Sequence, residues 1–257
     1  MTFQQQLIAL KTIVRKEIVR FTRIWVQTLL PPIITMSLYF IIFGTLIGSR
    51  IGEMDGFSYM EFVVPGLIMM SIITNSYSNV VSSFFGVKFQ RSIEEVLVSP
   101  TPDYIILLGY VLGGVTRGLL VGFIVTFVSL LFTDLQIHNF LVTIGIVVLT
   151  SIVFALAGFF NAIFARNFDD ISIIPTFVLT PLTYLGGVFY SISLLSEFWQ
   201  AVSKLNPILY MVNAFRYGIL GVSDIDVVSA FIGVFVFIVV LTFICLYLLA
   251  KGTRLRS

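Results

Sequence analysis

Residues 88–102 read KFQRSIEEVLVSPTP, and they interrupt a chain whose flanking stretches carry almost no charge. Four ionisable residues, Lys88, Arg91, Glu94 and Glu95, fall within eight positions here, although only 11% of the chain is charged. On a helical wheel Phe89, Ile93, Val96 and Leu97 gather on one side. Lys88, Arg91, Glu94 and Glu95 gather on the other, with Arg91 spaced to pair with Glu95 one turn on. Ser99-Pro100-Thr101-Pro102 stops the helix, because proline lacks an N–H and disfavours helix in the residue before it. A short helix of this kind can rest on a membrane, dock into a groove of another protein, or stay solvated in a loop.

The surroundings decide what it interrupts. Hydrophobic residues make up 58% of the 257-residue chain and aromatic residues 15%, with a mean hydropathy of +1.05. Soluble domains are about a quarter charged, so the composition is that of an integral membrane protein with a single membrane domain, 1–257. Apolar runs lie near 28–48, 60–85, 104–132, 140–165, 171–191 and 227–250. Each is long enough to cross about 30 Å of hydrocarbon. The expected fold class is therefore an all-α membrane protein with six transmembrane helices, which puts both termini on one side. Eleven basic residues fall on that side in this assignment: Lys11, Arg15, Lys16, Arg20, Arg23, Lys88, Arg91, Arg166, Lys251, Arg254 and Arg256. Only Arg50, Lys204 and Arg216 fall on the other. The excess of positive charge predicts cytoplasmic termini and a cytoplasmic 86–103 loop.

Residues 3–25 predict an amphipathic interfacial helix. Phe3, Leu7, Leu10, Val14, Ile18, Phe21 and Trp25 recur at spacings of three and four, and Lys11, Arg15, Lys16, Arg20 and Arg23 take other positions. The charges are spread throughout, unlike those of a signal peptide. Pro31 and Pro32 suit the first turn of the next helix, where a missing N–H is harmless.

Inside the spans, Ser71, Asn75, Ser78 and Ser82 form a polar stripe on one face, and Thr176, Thr180, Thr183 and Gly187 form another beside Pro175 and Pro181. Each stripe reads either as helix-to-helix contact or as the wall of a translocation path. Gly109, Gly113, Gly114, Gly118 and Gly122 repeat every four positions on two adjoining rows, a close-packing face. Arg117 stands among them as an intramembrane charge, and burying it costs about 2.5–3.5 kcal/mol on insertion scales. It faces protein or water, either as a structural tie to carbonyls or as a substrate-facing cation. Ser58-Tyr59-Met60-Glu61 is a capping box, and Asp169 and Asp170 suit a helix N-terminus.

Several functions are disfavoured. Cys245 and His138 are the only cysteine and histidine, so a Cys/His metal site has no ligands, and a net charge of +2 does not suggest nucleic acid. No carboxylate lies at mid-membrane depth, where gradient-driven carriers bind their coupling ion. None of the five lysines stands in a phosphate-binding G-x-x-x-x-G-K-[ST] loop. Energy, if used, comes from a partner. A gradient-driven carrier or a non-transporting membrane scaffold remains the alternative.

Two segments carry a more specific resemblance. QRSIEEVLVSP, 90–100, is similar to the coupling loop of the integral membrane subunits of type-two ABC transporters. GGVFY, 186–190, followed by LNPILY, 205–210, and Phe215-Arg216, resembles the C-terminal signature of that family. VQTLLPPIITMSLYFIIFG and FDDISIIPTFVLTPLTYLGGVFYS are also similar to its bacterial inner-membrane members. Where the family often has Gly-Thr ahead of the loop acid, this chain has Ser92-Ile93. The resemblance covers nearly the whole chain. It implies an inner-membrane exporter permease working as a homodimer with two cytoplasmic ATPase subunits. ATP and Mg would bind those partners, none would bind this chain, and the path would run between the permeases. It assigns ATPase coupling to Lys88, Phe89, Arg91, Ile93, Glu94, Glu95 and Leu97, places the N-terminal helix at the ATPase too, and makes 191–226 an external segment of short helices.

Overall fold

The structure, a computed structural model, describes residues 1–252, and of Thr45 and Ser49 the backbone alone. Arg254 and Arg256, two of the eleven basic residues on the side assigned to the cytoplasm, lie outside the described residues. Helix α1, Phe3–Arg23, starts on a reciprocal box in which Thr2 accepts from the Gln5 amide and Gln5 from the Thr2 amide. A break at Ile24 leads to α2, Trp25–Thr28, and α3, Leu30–Ile41, which opens on Pro31 and Pro32. A π-helical stretch, Ile42–Ile47, and α4, Gly48–Ile51, follow. Strands β1, Glu53–Met54, and β2, Phe57–Ser58, pair antiparallel. Asp55 and Gly56 join them, both at positive φ, as a two-residue hairpin whose twist matches its strands requires.

Four unbroken helices follow or close the chain: α5, Tyr59–Phe89; α7, Asp103–Ser129; α8, Phe140–Phe164; and α13, Val227–Lys251. Between them stand α6, Ile93–Val98; α9, Asp170–Ile174; α10, Thr180–Tyr184; α11, Glu197–Lys204; and α12, Pro207–Leu220. The Ser58–Glu61 capping box is present as the sequence predicts, and Asp169 occupies the N-cap position of α9, without a side-chain cap bond, with Asp170 in the first turn. Among the described residues, five helical stretches are long and apolar enough to span a membrane: Trp25–Gly44, Tyr59–Phe89, Asp103–Ser129, Phe140–Phe164 and Val227–Lys251. The expected span at 171–191 is shorter. It is α9, a π-helical stretch Pro175–Leu179, and α10 in succession, because Pro175 and Pro181 cannot complete a regular ladder.

Helix α5 is the axis, packed against α7, α8 and α12. The glycine rows permit this. A Cβ at Gly114 would meet Val80 and Ala155, one at Gly118 would meet Ser76 and Ser151, and one at Gly122 would meet Ile72. The second row faces α1, where Gly109 lies against Ile13 and Gly113 against Glu17. The close-packing reading of these five glycines therefore holds on both rows.

Two local expectations change. First, α1 lies along α7, with Gln6 bonded to Tyr104, Ile13 at Gly109 and Glu17 at Gly113. Its buried face is centred on Ile13, Glu17 and Phe21, while Phe3, Leu7 and Trp25 of the expected apolar face are exposed. Second, the 191–226 segment is not all superficial. Helix α11 is exposed, but α12 is buried among α5, α8 and α13.

Candidate functional site

The span window of α5 is 83% buried, against 17–50% for the other four. Its few open positions are therefore informative. Thr74 and Ser82 are exposed and Ser78 is half-buried, at i, i+4 and i+8, so three hydroxyl side chains follow one another along one side. The stripe expected from the sequence divides by height. Toward Phe89 it is open, at Ser78 and Ser82. Toward Tyr59 it is closed: Ser71 and Asn75 are buried, Ser71 Oγ donates to the Leu67 carbonyl and Asn75 Nδ2 to that of Ser71. Both side chains are thus engaged within the protein, Asn75 also by Arg117. Thr74 was not legible as part of the row, since its residue type alone does not distinguish an open position from a covered one.

In the 170–184 segment Thr176 and Thr180 are exposed beside Phe177, whereas Thr183 is buried and donates to the Leu179 carbonyl. No hydrogen bond joins this stripe to that of α5 among the described residues. The two segments meet at one end instead. Tyr39 and Phe43 of the first span, Tyr59 of α5, and Tyr184 and Phe189 form an aromatic cluster, tied by the Tyr59 hydroxyl donating to the Phe189 carbonyl at 3.2 Å.

Two polar nodes stand beside the α5 row. Arg117 Nη2 donates to Asn75 Oδ1 at 3.0 Å and to the Thr28 carbonyl at 3.5 Å. The guanidinium is thus bonded in part to a carbonyl and in part to an asparagine. The second node centres on Glu17, whose carboxylate is fully buried. It accepts from Ser83 Oγ at 2.6 Å and stands 3.2 Å from Lys16 Nζ and 3.4 Å from Arg20 Nη2. Arg20 also reaches the Asn79 carbonyl and side chain at 2.8 Å and Ser82 at 3.4 Å. Burial works against the Lys16 charge, but Tyr110 and Glu17 outweigh it and hold that ammonium above the usual lysine pKa. Sequence reasoning missed Glu17; the one available signal was an acid flanked by five bases on the same helix.

The charged interruption is not one helix. Lys88 and Phe89 end α5, and Lys88 Nζ caps the C-terminus of α8 by donating to the Ala162, Ile163 and Ala165 carbonyls. Arg91 follows at φ 60° in a tight turn, outside α6, so the expected helical i, i+4 pairing with Glu95 does not form. What remains of the expected amphipathicity is clear. Ile93 is buried and Val96 and Leu97 pack on the core, whereas Arg91, Glu94 and Glu95 are exposed. Phe89 is exposed, but its ring meets Phe85 tilted and Phe168 edge-on.

Arg216 needs a larger correction. Counted with the outer loops by sequence, it is 1% exposed, stands over the Phe62 ring at 3.8 Å and donates to the Gly187 carbonyl at 2.6 Å. It ties α12 to the Gly186-Gly187 turn and to α5. Among the described residues no group of three or more His, Cys, Asp or Glu could hold a metal. The arrangement offers a row of hydroxyls, an aromatic cluster at one end and a short surface helix.

Residues 8–220 match the family described as ABC-2 type transporter. The chain is 62% identical over 250 residues to the inner membrane transport permease YadH of Escherichia coli K12, covering 97% of this chain and 98% of that one. It is 23% identical over 208 residues to nodulation protein J of Rhizobium meliloti, covering 80% and 79% respectively. With nodulation protein J of Rhizobium leguminosarum bv. trifolii it shares 23% over 238 residues, or 92% and 91% of the two chains.

Proposed function

Since the chain belongs to the ABC-2 type transporter family, we propose that it is the membrane-spanning permease subunit of an ABC exporter, which moves its substrate along the α5 hydroxyl row. The observation that carries this reading is the exposure of Thr74 and Ser82, with the half-buried Ser78 between them, on the most buried of the spanning helices. Thr74 and Ser78 facing hydrocarbon would lack partners beyond their own backbone, whereas Ser82 has Arg20, so this side is best covered by a second permease copy, with the path between the two. Isologous pairing would set each row opposite its copy. The exposed Thr176 and Thr180 belong to the same wall in this reading. The 170–184 segment serves as a sixth crossing, and both termini face the cytoplasm of the inner membrane, as the basic residues favour.

Hydrolysis falls to two cytoplasmic ATPase subunits, which bind ATP and Mg; this chain binds neither and is not itself an enzyme. The α6 turn-helix suits the contact with them, because its apolar residues hold it to the bundle while Glu94 and Glu95 stay free. The name of the Escherichia coli relative, an inner membrane transport permease, favours the same role.

Ser78→Trp tests the path. The half-buried side of α5 can accommodate the ring only by filling the open row. Expected is a complex that assembles with its ATPase yet loses substrate-stimulated hydrolysis. Unchanged stimulation in an assembled Ser78→Trp complex would remove the row from the path.

A further inference from the structure

Helix α1 presents α7 with one face and leaves the opposite one uncovered. On the free side Ile8 is 65% and Val19 51% exposed. Lys11, Arg15 and Lys16 stand around Thr12 between them, and together these six residues line an open hollow of about 580 Å³. The face is one-signed. Glu17 is the only acid in α1, and it is fully buried on the other side, against Ser83.

We propose that this face is a binding site for an anionic phospholipid, with the headgroup phosphate held between Lys11 and Arg15 and an acyl chain laid over Ile8 and Val19. Three observations carry it. Lys16 is paired with Glu17 at 3.2 Å, but among the described residues Lys11 and Arg15 have no carboxylate beside them, so a phosphate is their complement. Basic residues alternating with exposed aliphatic ones match a headgroup joined to a chain better than they match a purely polar anion. Beyond the break at Ile24 the chain enters its first span, Trp25–Gly44, and the exposed Trp25 and Leu7 continue the apolar edge of α1. The helix is thereby held where lipid headgroups are. An acidic surface on a soluble protein would complement the cations but not Ile8 and Val19.

The test uses the full-length permease in a neutral detergent. Its thermal unfolding is followed during titration with phosphatidylglycerol or with phosphatidylcholine of the same chains. A ligand of the folded state raises the midpoint with concentration. Phosphatidylglycerol should raise it further than phosphatidylcholine, by an increment that shrinks as salt is added. Lys11→Gln with Arg15→Gln should weaken the phosphatidylglycerol effect roughly thirtyfold in concentration, as two surface bases at an anionic membrane imply. Lys11→Arg with Arg15→Lys should retain it. Equal effects of the two lipids, a salt-independent effect, or full retention by the glutamine variant would each overturn the proposal. So would glycerol phosphate acting as well as the lipid, since the site would then recognise the free anion. Loss of the ATPase from the glutamine variant with its phosphatidylglycerol response intact would assign the face to that protein instead. If the glutamine variant does not fold, the wild-type comparison of lipids and salt decides alone.

Discussion

Removing the Glu17 carboxylate should release α1 from the bundle, and the structure sets the size of the effect. Its strongest contact is the 2.6 Å bond from Ser83, a charge-assisted bond worth about 1.5–3 kcal/mol. Neither cation would be stranded, because Arg20 keeps the Asn79 carbonyl at 2.8 Å and Lys16 keeps the Tyr110 hydroxyl at 3.0 Å. Both cations are also partly exposed. The loss therefore falls below the roughly 3–5 kcal/mol that follows breaking a fully buried pair. Glu17→Gln keeps the shape and an acceptor for Ser83, so about 1–2 kcal/mol is expected. Glu17→Ala also opens space against Gly113, which brings the expectation to about 2–3 kcal/mol. Limited trypsin digestion reads this directly, since cutting after Lys11, Arg15 or Lys16 requires α1 to unwind away from α7. The rate follows the population of the open form, and each 1.4 kcal/mol is about tenfold. Digestion should thus quicken about tenfold for the glutamine variant and nearer a hundredfold for alanine. Wild-type digestion of Glu17→Ala would refute the view that this carboxylate holds the helix.

Three further outcomes are expected. Arg117→Leu should lower the yield of folded permease in detergent, because Asn75 and the Thr28 carbonyl lose their donor, and Arg117→Lys should be milder; normal folding of the leucine variant with an altered substrate preference would make Arg117 a substrate contact. Glu94→Lys with Glu95→Lys should leave the permease inserted and dimeric but weaken ATPase co-purification, by up to about 2–5 kcal/mol if the pair is buried at that contact; Glu53→Lys at the hairpin is the control, and equal co-purification in both would end the coupling role. In a Cys245→Ser background, cysteine at Glu95 should be shielded from an impermeant thiol reagent in intact cells and cysteine at Ser223 should react, the reverse pattern overturning the orientation.

Features set by short-range rules could be read from the sequence. The capping box at Ser58, the breaks at Pro100 and Pro102 and the inward set Ile93, Val96 and Leu97 depend on neighbours a turn away. The glycine rows were legible because small residues at four-residue spacing have few other uses in a membrane helix. Burial that depends on a distant partner was not. The periodicity of α1 does not single out Glu17, and only the approach of Ser83 and Gly113 makes an interior position of it. Arg216 is a loop base by composition and becomes a core residue through the Phe62 ring and the Gly187 carbonyl. The division of the α5 stripe has the same origin, since Ser71 and Ser82 are alike in sequence and differ in what lies over them.

The two π-helical stretches give the bundle unequal mechanics. A π turn closes its hydrogen bond over five residues instead of four, so a helix containing one can convert that turn and pass a residue of rise, about 1.5 Å, along its axis. One stretch lies in the first span, at Ile42–Ile47, and the other at Pro175–Leu179. Helices α5, α7, α8 and α13 run 25 to 31 residues without such a turn. They are struts, and α5, α7 and α8 are pinned to one another along glycine seams. The two interrupted segments are springs, and they are joined end to end where Tyr39 and Phe43 meet Tyr184 through Phe189. A displacement that shortened one would therefore bear on the other through that aromatic joint.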